Sequence, residues 1–114
     1  MKITNQNRGT LLAREAILAD TSFKRIQGLL GKERLDAGCA LILKPCNSIH
    51  TFFMRFAIDV LFVDKNARVI KAISSLKPFR ITPVYINSAL AIELPSGAIA
   101  STQTVEGDAI LIDI

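Results

Sequence analysis

Cys46-Asn47-Ser48-Ile49-His50-Thr51-Phe52-Phe53-Met54-Arg55-Phe56-Ala57-Ile58-Asp59-Val60-Leu61-Phe62-Val63-Asp64 is the stretch on which the fold turns. It holds the only histidine and four of the six phenylalanines, so aromatic and β-branched residues are concentrated there. That composition predicts two strands, Ile49 to Arg55 and Ile58 to Val63. It also sets one carboxylate, Asp59, inside an apolar run. An ionised carboxylate buried in a strand is costly unless it is paired or hydrogen-bonded, so Asp59 needs a structural or a functional reason.

Working outward, Asp64-Lys65-Asn66-Ala67 has turn chemistry and Arg68 to Ile73 follows it, which predicts a hairpin. Pro78 and Pro83 bracket a loop, Lys77 to Val84, carrying two basic side chains. Ala89 to Leu94 reads as a strand closed by Pro95, and Ser96 to Ala100 as one or two helical turns. Glu106-Gly107-Asp108 turns into a last strand, Ala109 to Asp113. Upstream, Ala40 to Leu43 is a short strand stopped by Pro45. Thr10 to Ala19 fits strand or helix, and strand is preferred because Asp20-Thr21-Ser22 then forms an N-cap. After that cap, Phe23, Ile26, Gln27, Leu29 and Leu30 stripe one helical face, with Gly31 as C-cap. Gly28 inside this helix points to a close helix–sheet approach. The expected fold is α+β and predominantly β: a curved, mostly antiparallel sheet or partly open barrel with one main helix packed on it.

The 114 residues make one domain, 1–114, and a chain that is 50% hydrophobic and 21% charged has enough core to fold without staples. The net charge of +4 comes from cations spread along the chain. A specific nucleic-acid partner is not expected, because such readers carry denser basic stripes. The N-terminal segment lacks an apolar signal core, and no apolar stretch is long enough to span a bilayer. Two cysteines without a signal read as reduced thiols in a cytoplasmic protein. They are too few for a disulfide framework or a cysteine zinc site, and no cofactor is expected.

For chemistry, strand parity would put His50, Phe52 and Met54 on one face and Thr51, Phe53 and Arg55 on the other. Asp59 and Glu93 are the sharpest pair. On neighbouring strands they would converge, to hold a hard cation or to split into acid and base. The commoner reason for such placements is structural, each carboxylate serving the scaffold by accepting bonds from backbone N–H groups or an arginine. Cys46 with His50 raises thiol or metal chemistry, but two ligands fall short of four and a cysteine is often a small buried hydrophobe. The phenylalanines and Met54 are mostly core, with some lining an apolar groove rimmed by Asn47, Ser48 and Thr51.

Ser48 to Asp64, with Gly28-Leu29-Leu30-Gly31, Leu76-Lys77-Pro78, Glu93-Leu94-Pro95-Ser96-Gly97 and Gly107-Asp108, resembles the bacterial and archaeal family called domain of unknown function 192. The resemblance covers nearly the whole chain. Ala57 stands where the family commonly has proline. It implies a compact, mostly β domain with a helix near the N-terminal end. It features Met54, Asp59, Glu93 and Gly97, and supplies no activity.

The function expected is non-enzymatic binding of a small polar ligand or peptide in a groove of the sheet, with His50, Thr51, Met54, Arg55, Asp59 and Glu93 as binding residues. The alternatives are a small hydrolase or lyase using the Asp59–Glu93 pair, and a partner module offering a strand edge or its Lys77–Arg80 loop. The residues leave open which of these holds, whether the chain is an enzyme, and how many copies assemble.

Overall fold

The run Ile58–Asp64 forms β5, and every side chain in it except Asp64 is buried. A strand buried on both faces must sit between two apolar layers, which is why it reads as an almost unbroken apolar run. In the computed structural model, which describes residues 1–21, Lys24, Leu29 and 31–113, β5 lies inside a five-stranded sheet. The other strands are β1 (Lys2–Asn5), β2 (Thr10–Ala13), β3 (Glu15–Ala19), β4 (Cys39–Leu43), β6 (Val69–Leu76), β7 (Ser88–Pro95) and β8 (Ile110–Asp113). A five-residue helix, α1 (Ala98–Thr102), follows β7.

The large sheet has the order β3-β4-β7-β5-β6, and a second sheet has the order β2-β1-β8. All pairings are antiparallel except β3 with β4. The sheets adjoin at both sides. The Ala16 amide donates to the Met1 carbonyl, and Val69 and Ile110 donate to Asp108 and Ala67. They do not close into a barrel. The architecture is thus α+β and predominantly β, in two sheets rather than one.

Two apolar clusters share the large sheet. One fills the space between the sheets, from Ile3, Leu12 and Ile110 to Leu61, Ile92, Leu94 and Ile99 of α1. The other covers the opposite face, where Val60, Phe62, Leu41 and Ala91 meet Leu29, Ile49 and Met54.

The hairpin from β5 to β6 forms as expected. Asp64 Oδ1 accepts from the amides of Asn66 and Arg68, which folds the turn. The predicted strand Thr10 to Ala19 is two strands, β2 and β3, separated at Arg14 and belonging to different sheets. The first strand, β1, was not expected from sequence. The predicted helix after Asp20 falls largely outside the described residues. Ile49 to Arg55 is not a strand: only His50 makes a bridge, to Ile81, and Phe53 adopts φ 65°. A bulky residue in the left-handed region ends an extended run.

Candidate functional site

Asp59 and Glu93 sit on adjacent strands, but the register separates them. Asp59 faces Leu94 and Glu93 faces Val60 across the β5–β7 pair. Directly opposed residues share a face and successive ones alternate, so the two carboxylates point to opposite sides of the sheet. The expected convergence into a cation site or an acid–base pair is thereby corrected.

Asp59 points into the layer between the sheets and is wholly buried. Its Oδ2 accepts from the amides of Gly97 (3.1 Å) and Ile99 (2.8 Å), and its Oδ1 from Ser75 (2.8 Å). The β6 register slips by one residue opposite Asp59, and Ser75 adopts φ 51° within that bulge. The carboxylate therefore caps α1 from a neighbouring strand and pins the bulge, which is the scaffold role weighed for it.

Glu93 faces the second cluster. Leu41 and Val60 flank it on β4 and β5. It is 4% exposed and no described residue forms a hydrogen bond or ion pair with its carboxyl. Burial among apolar neighbours pushes that carboxyl up from 4.5 to about 7.

Thr51 is buried and serves as a clamp. Its hydroxyl donates to Lys77 O (2.6 Å) and accepts from the Arg80 amide (3.0 Å), while its backbone exchanges bonds with Phe79 and Arg80. Further along, Thr82 N donates to Ile49 O and Tyr85 N to Asn47 O. Segments 47–51 and 79–85 thus run as an irregular antiparallel ribbon over the second cluster. Met54 is buried beneath it.

His50 is exposed and stacks on Phe52 with ring centroids 5.3 Å apart. Arg55 is exposed, with Glu33 at 4.0 Å, the outer limit of an ion pair. Cys46 directs its thiol to Ser48 O at 3.2 Å. No three His, Cys, Asp or Glu side chains gather as a metal centre among the described residues. The six expected binding residues are therefore divided: two on the surface ribbon, two packed inside it, and two on opposite faces of the sheet.

A cleft of about 370 Å³ lies elsewhere, between β2 and the Pro95–Thr102 segment. Its walls include Leu11, Leu12, Ala13, Pro95 and Ala98, with Arg14, Ser96, Gly97 and Ser101 adding polar surface. Arg14 Nη1 donates to Ala37 O (3.1 Å), and no carboxylate among the described residues pairs with its guanidinium. The Arg14 side chain lies across Gly38, where any Cβ would collide with the guanidinium and where φ is +82°. Only glycine combines that φ with that clearance. Gly97, at φ +99°, opens onto free space in the same cleft. Sequence reasoning singled out Gly97 but not Arg14, because a lone arginine between two strands gives no local signal.

A buried polar network also went unpredicted. Asp108 Oδ2 accepts from Asn5 Nδ2 (2.9 Å), Val105 N (2.9 Å) and Arg8 Nε (3.3 Å). Burial alone would raise this carboxyl. The donors of Asn5, Val105 and Arg8 outweigh it and hold the group below its ordinary value.

The sequence pattern of domain of unknown function 192, described as Uncharacterized ACR, matches residues 3–112. The chain is 34% identical over 113 residues to a UPF0127 protein of Pyrococcus horikoshii, covering 95% of this chain and 96% of that one. A UPF0127 protein of Thermococcus gammatolerans is 32% identical over 116 residues, covering 98% and 75%. Among solved structures, a protein of unknown function from Novosphingobium aromaticivorans superimposes with a TM-score of 0.83 at 20% identity. That alignment covers 97% of this chain and 82% of that one, and it establishes a shared fold.

Proposed function

The chain belongs to the family of domain of unknown function 192, and on that premise we propose that it is a non-enzymatic binding domain that seats a small organic carboxylate in the Arg14 cleft. One observation carries the reading: a guanidinium held over Gly38, without a carboxylate partner among the described residues, beside an apolar-walled cleft. A cleft of about 370 Å³ is of ligand-binding size. Arginine is suited to the role because its planar fork meets a carboxylate through two parallel hydrogen bonds. Leu11, Leu12, Ala13 and Pro95 would cover the apolar part of the ligand, and the Ser101 hydroxyl would offer a second polar contact. Catalysis is not part of this reading, because Asp59 is occupied by three amides and Glu93 lies on the far face.

Isothermal titration with benzoate, hexanoate, succinate and citrate tests it. Saturable heat is expected with at least one of them, weakened roughly tenfold or more in Arg14→Gln by loss of a charge-assisted pair. Gly38→Ala, which displaces the guanidinium without removing it, is expected to weaken the same titration. No heat from any of the four, or heats unchanged in Arg14→Gln, would overturn the reading.

A further inference from the structure

The ribbon of segments 47–51 and 79–85, with the residues that flank it to 56 and 86, exposes a group of large apolar side chains. Phe53 is 77% exposed, Phe79 59%, Ile81 68% and Ile86 86%, and Val84 projects beside them. These side chains are carried along the two paired segments of the ribbon. The rings of Phe53 and Phe79 meet edge to face at 6.0 Å, Ile81 bridges His50 at the middle, and Val84 and Ile86 flank Asn47 at the far end. Phe53 (φ 65°) and Phe79 (φ 61°) both hold left-handed backbone conformations, which bulky residues adopt rarely.

Charge marks the same ribbon. From residue 37 to 58, and again from 65 to 92, the chain contains no Asp or Glu. Arg55, Lys77 and Arg80 are all exposed around the apolar tips. Among the described residues the one carboxylate within ion-pair reach of these cations is Glu33, at 4.0 Å from Arg55. Three of the chain's fourteen cations, Arg55, Lys77 and Arg80, therefore stand beside its exposed phenylalanines.

We propose that this ribbon docks the protein onto an anionic lipid bilayer. Phe53, Phe79 and Ile81 enter the headgroup region, and Arg55, Lys77 and Arg80 meet lipid phosphates. Apolar tips ringed by cations are the composition that binds such a surface through both buried area and charge. Lipid is favoured by charge complementarity: cations beside protruding hydrocarbon side chains match an anionic headgroup layer over an apolar interior. A protein partner, or a nucleic acid stacking on Phe53 and Phe79, is an outcome of the test.

Flotation of the full chain with equimolar phosphatidylglycerol and phosphatidylcholine vesicles, against phosphatidylcholine alone, tests the proposal. The protein is expected to float with the anionic vesicles at low salt, to be released at high salt, and to remain behind with the neutral ones. Phe53→Ser/Phe79→Ser and, away from the strained positions, Ile81→Ser/Ile86→Ser are each expected to weaken flotation at least tenfold with an unchanged circular dichroism spectrum. Lys77→Ser/Arg80→Ser is expected to weaken it about twenty-five-fold, since each cation near such a surface contributes about a fivefold gain. No flotation of the wild type, or equal flotation of both apolar variants, would overturn the proposal. So would a dimer on gel filtration that the apolar variants disperse, or binding of an acidic leucine-rich peptide or of oligo-dT in place of vesicles. Those results would assign the ribbon to a second copy, a protein or a nucleic acid.

Discussion

At the scale of single residues, the two carboxylates that look alike in sequence have opposite consequences. Glu93 is set among apolar neighbours, no described residue bonds to its carboxylate, and its carboxyl is pushed up to about 7. The unfolded chain releases this proton near 4.5, while the folded chain keeps it until about 7. In that window the folded state binds more protons, so stability falls as pH rises. The contribution is complete below 4.5, and about 3 kcal/mol of it is lost by the time pH passes through the folded value. Thermal melts from pH 4.5 to 8 check this. Glu93→Gln is expected to flatten that decline and to melt higher than wild type at pH 8. A Glu93→Gln protein that melts lower at pH 8 would show that the ionised carboxylate is held by a partner. Along the chain, Asp59 and Glu93 are equivalent acids among apolar residues. The difference between them lies in the donors that other segments bring, and those are not written beside either residue.

At the scale of elements, Asp59 joins three of them: β5 carries it, the β6 bulge donates Ser75 N, and the turn into α1 donates Gly97 N and Ile99 N. A helix of five residues cannot persist by its own hydrogen bonds, so its position depends on this cap and on the burial of Ile99. Asp59→Asn replaces one accepting oxygen by an NH₂ that faces amide donors. The expected cost is about 3 kcal/mol, on the order of 10 °C in melting temperature. Loss of amide exchange protection at Ile99 and Ser75 should accompany it. A melting temperature within 2 or 3 °C of wild type, roughly 1 kcal/mol or less, would remove Asp59 from this role. The elements legible in sequence were those whose apolar runs face two layers or whose turns carry their own donors and acceptors: β4, β5, the hairpin to β6, β7 and β8. The ribbon was misread as a strand because Ile49, Phe52 and Phe53 have strand propensity. That propensity reports a fit to a half-buried surface, not the presence of a neighbouring strand. Thr51 satisfies the local backbone through Lys77, Phe79 and Arg80 instead.

At the scale of the whole molecule, the two apolar clusters share one sheet, and the chain's two ends meet in the other, where β1 pairs with β8. Damage to either cluster should therefore be felt by both. Ile3 is wholly buried between the sheets, whereas Tyr85, the only tyrosine in a chain without tryptophan, packs on Phe62 at 4.7 Å in the opposite cluster. Ile3→Ala is expected to cost about 3 kcal/mol, as large-to-small changes in a core do. Its effect should lower the tyrosine fluorescence transition and the far-ultraviolet circular dichroism transition together. Separate transitions, with tyrosine melting at the wild-type temperature, would show that the clusters unfold independently.

Fold class and most strand positions were contained in the sequence alone, because apolar pattern, proline stops and turn residues act over a few neighbouring positions. So was the family, through Ser48–Asp64 and Glu93–Gly97. The tertiary structure decided everything that depends on which segments meet. The register of β5 against β7 sent Asp59 and Glu93 to opposite faces. The crossing of Arg14 over Gly38 made a cleft where no motif stands. The pairing of 47–51 with 79–85 gathered the exposed phenylalanines and cations onto one ribbon. These are long-range contacts, and a one-residue change of register, invisible in composition, would reverse the outcome for every side chain on a strand.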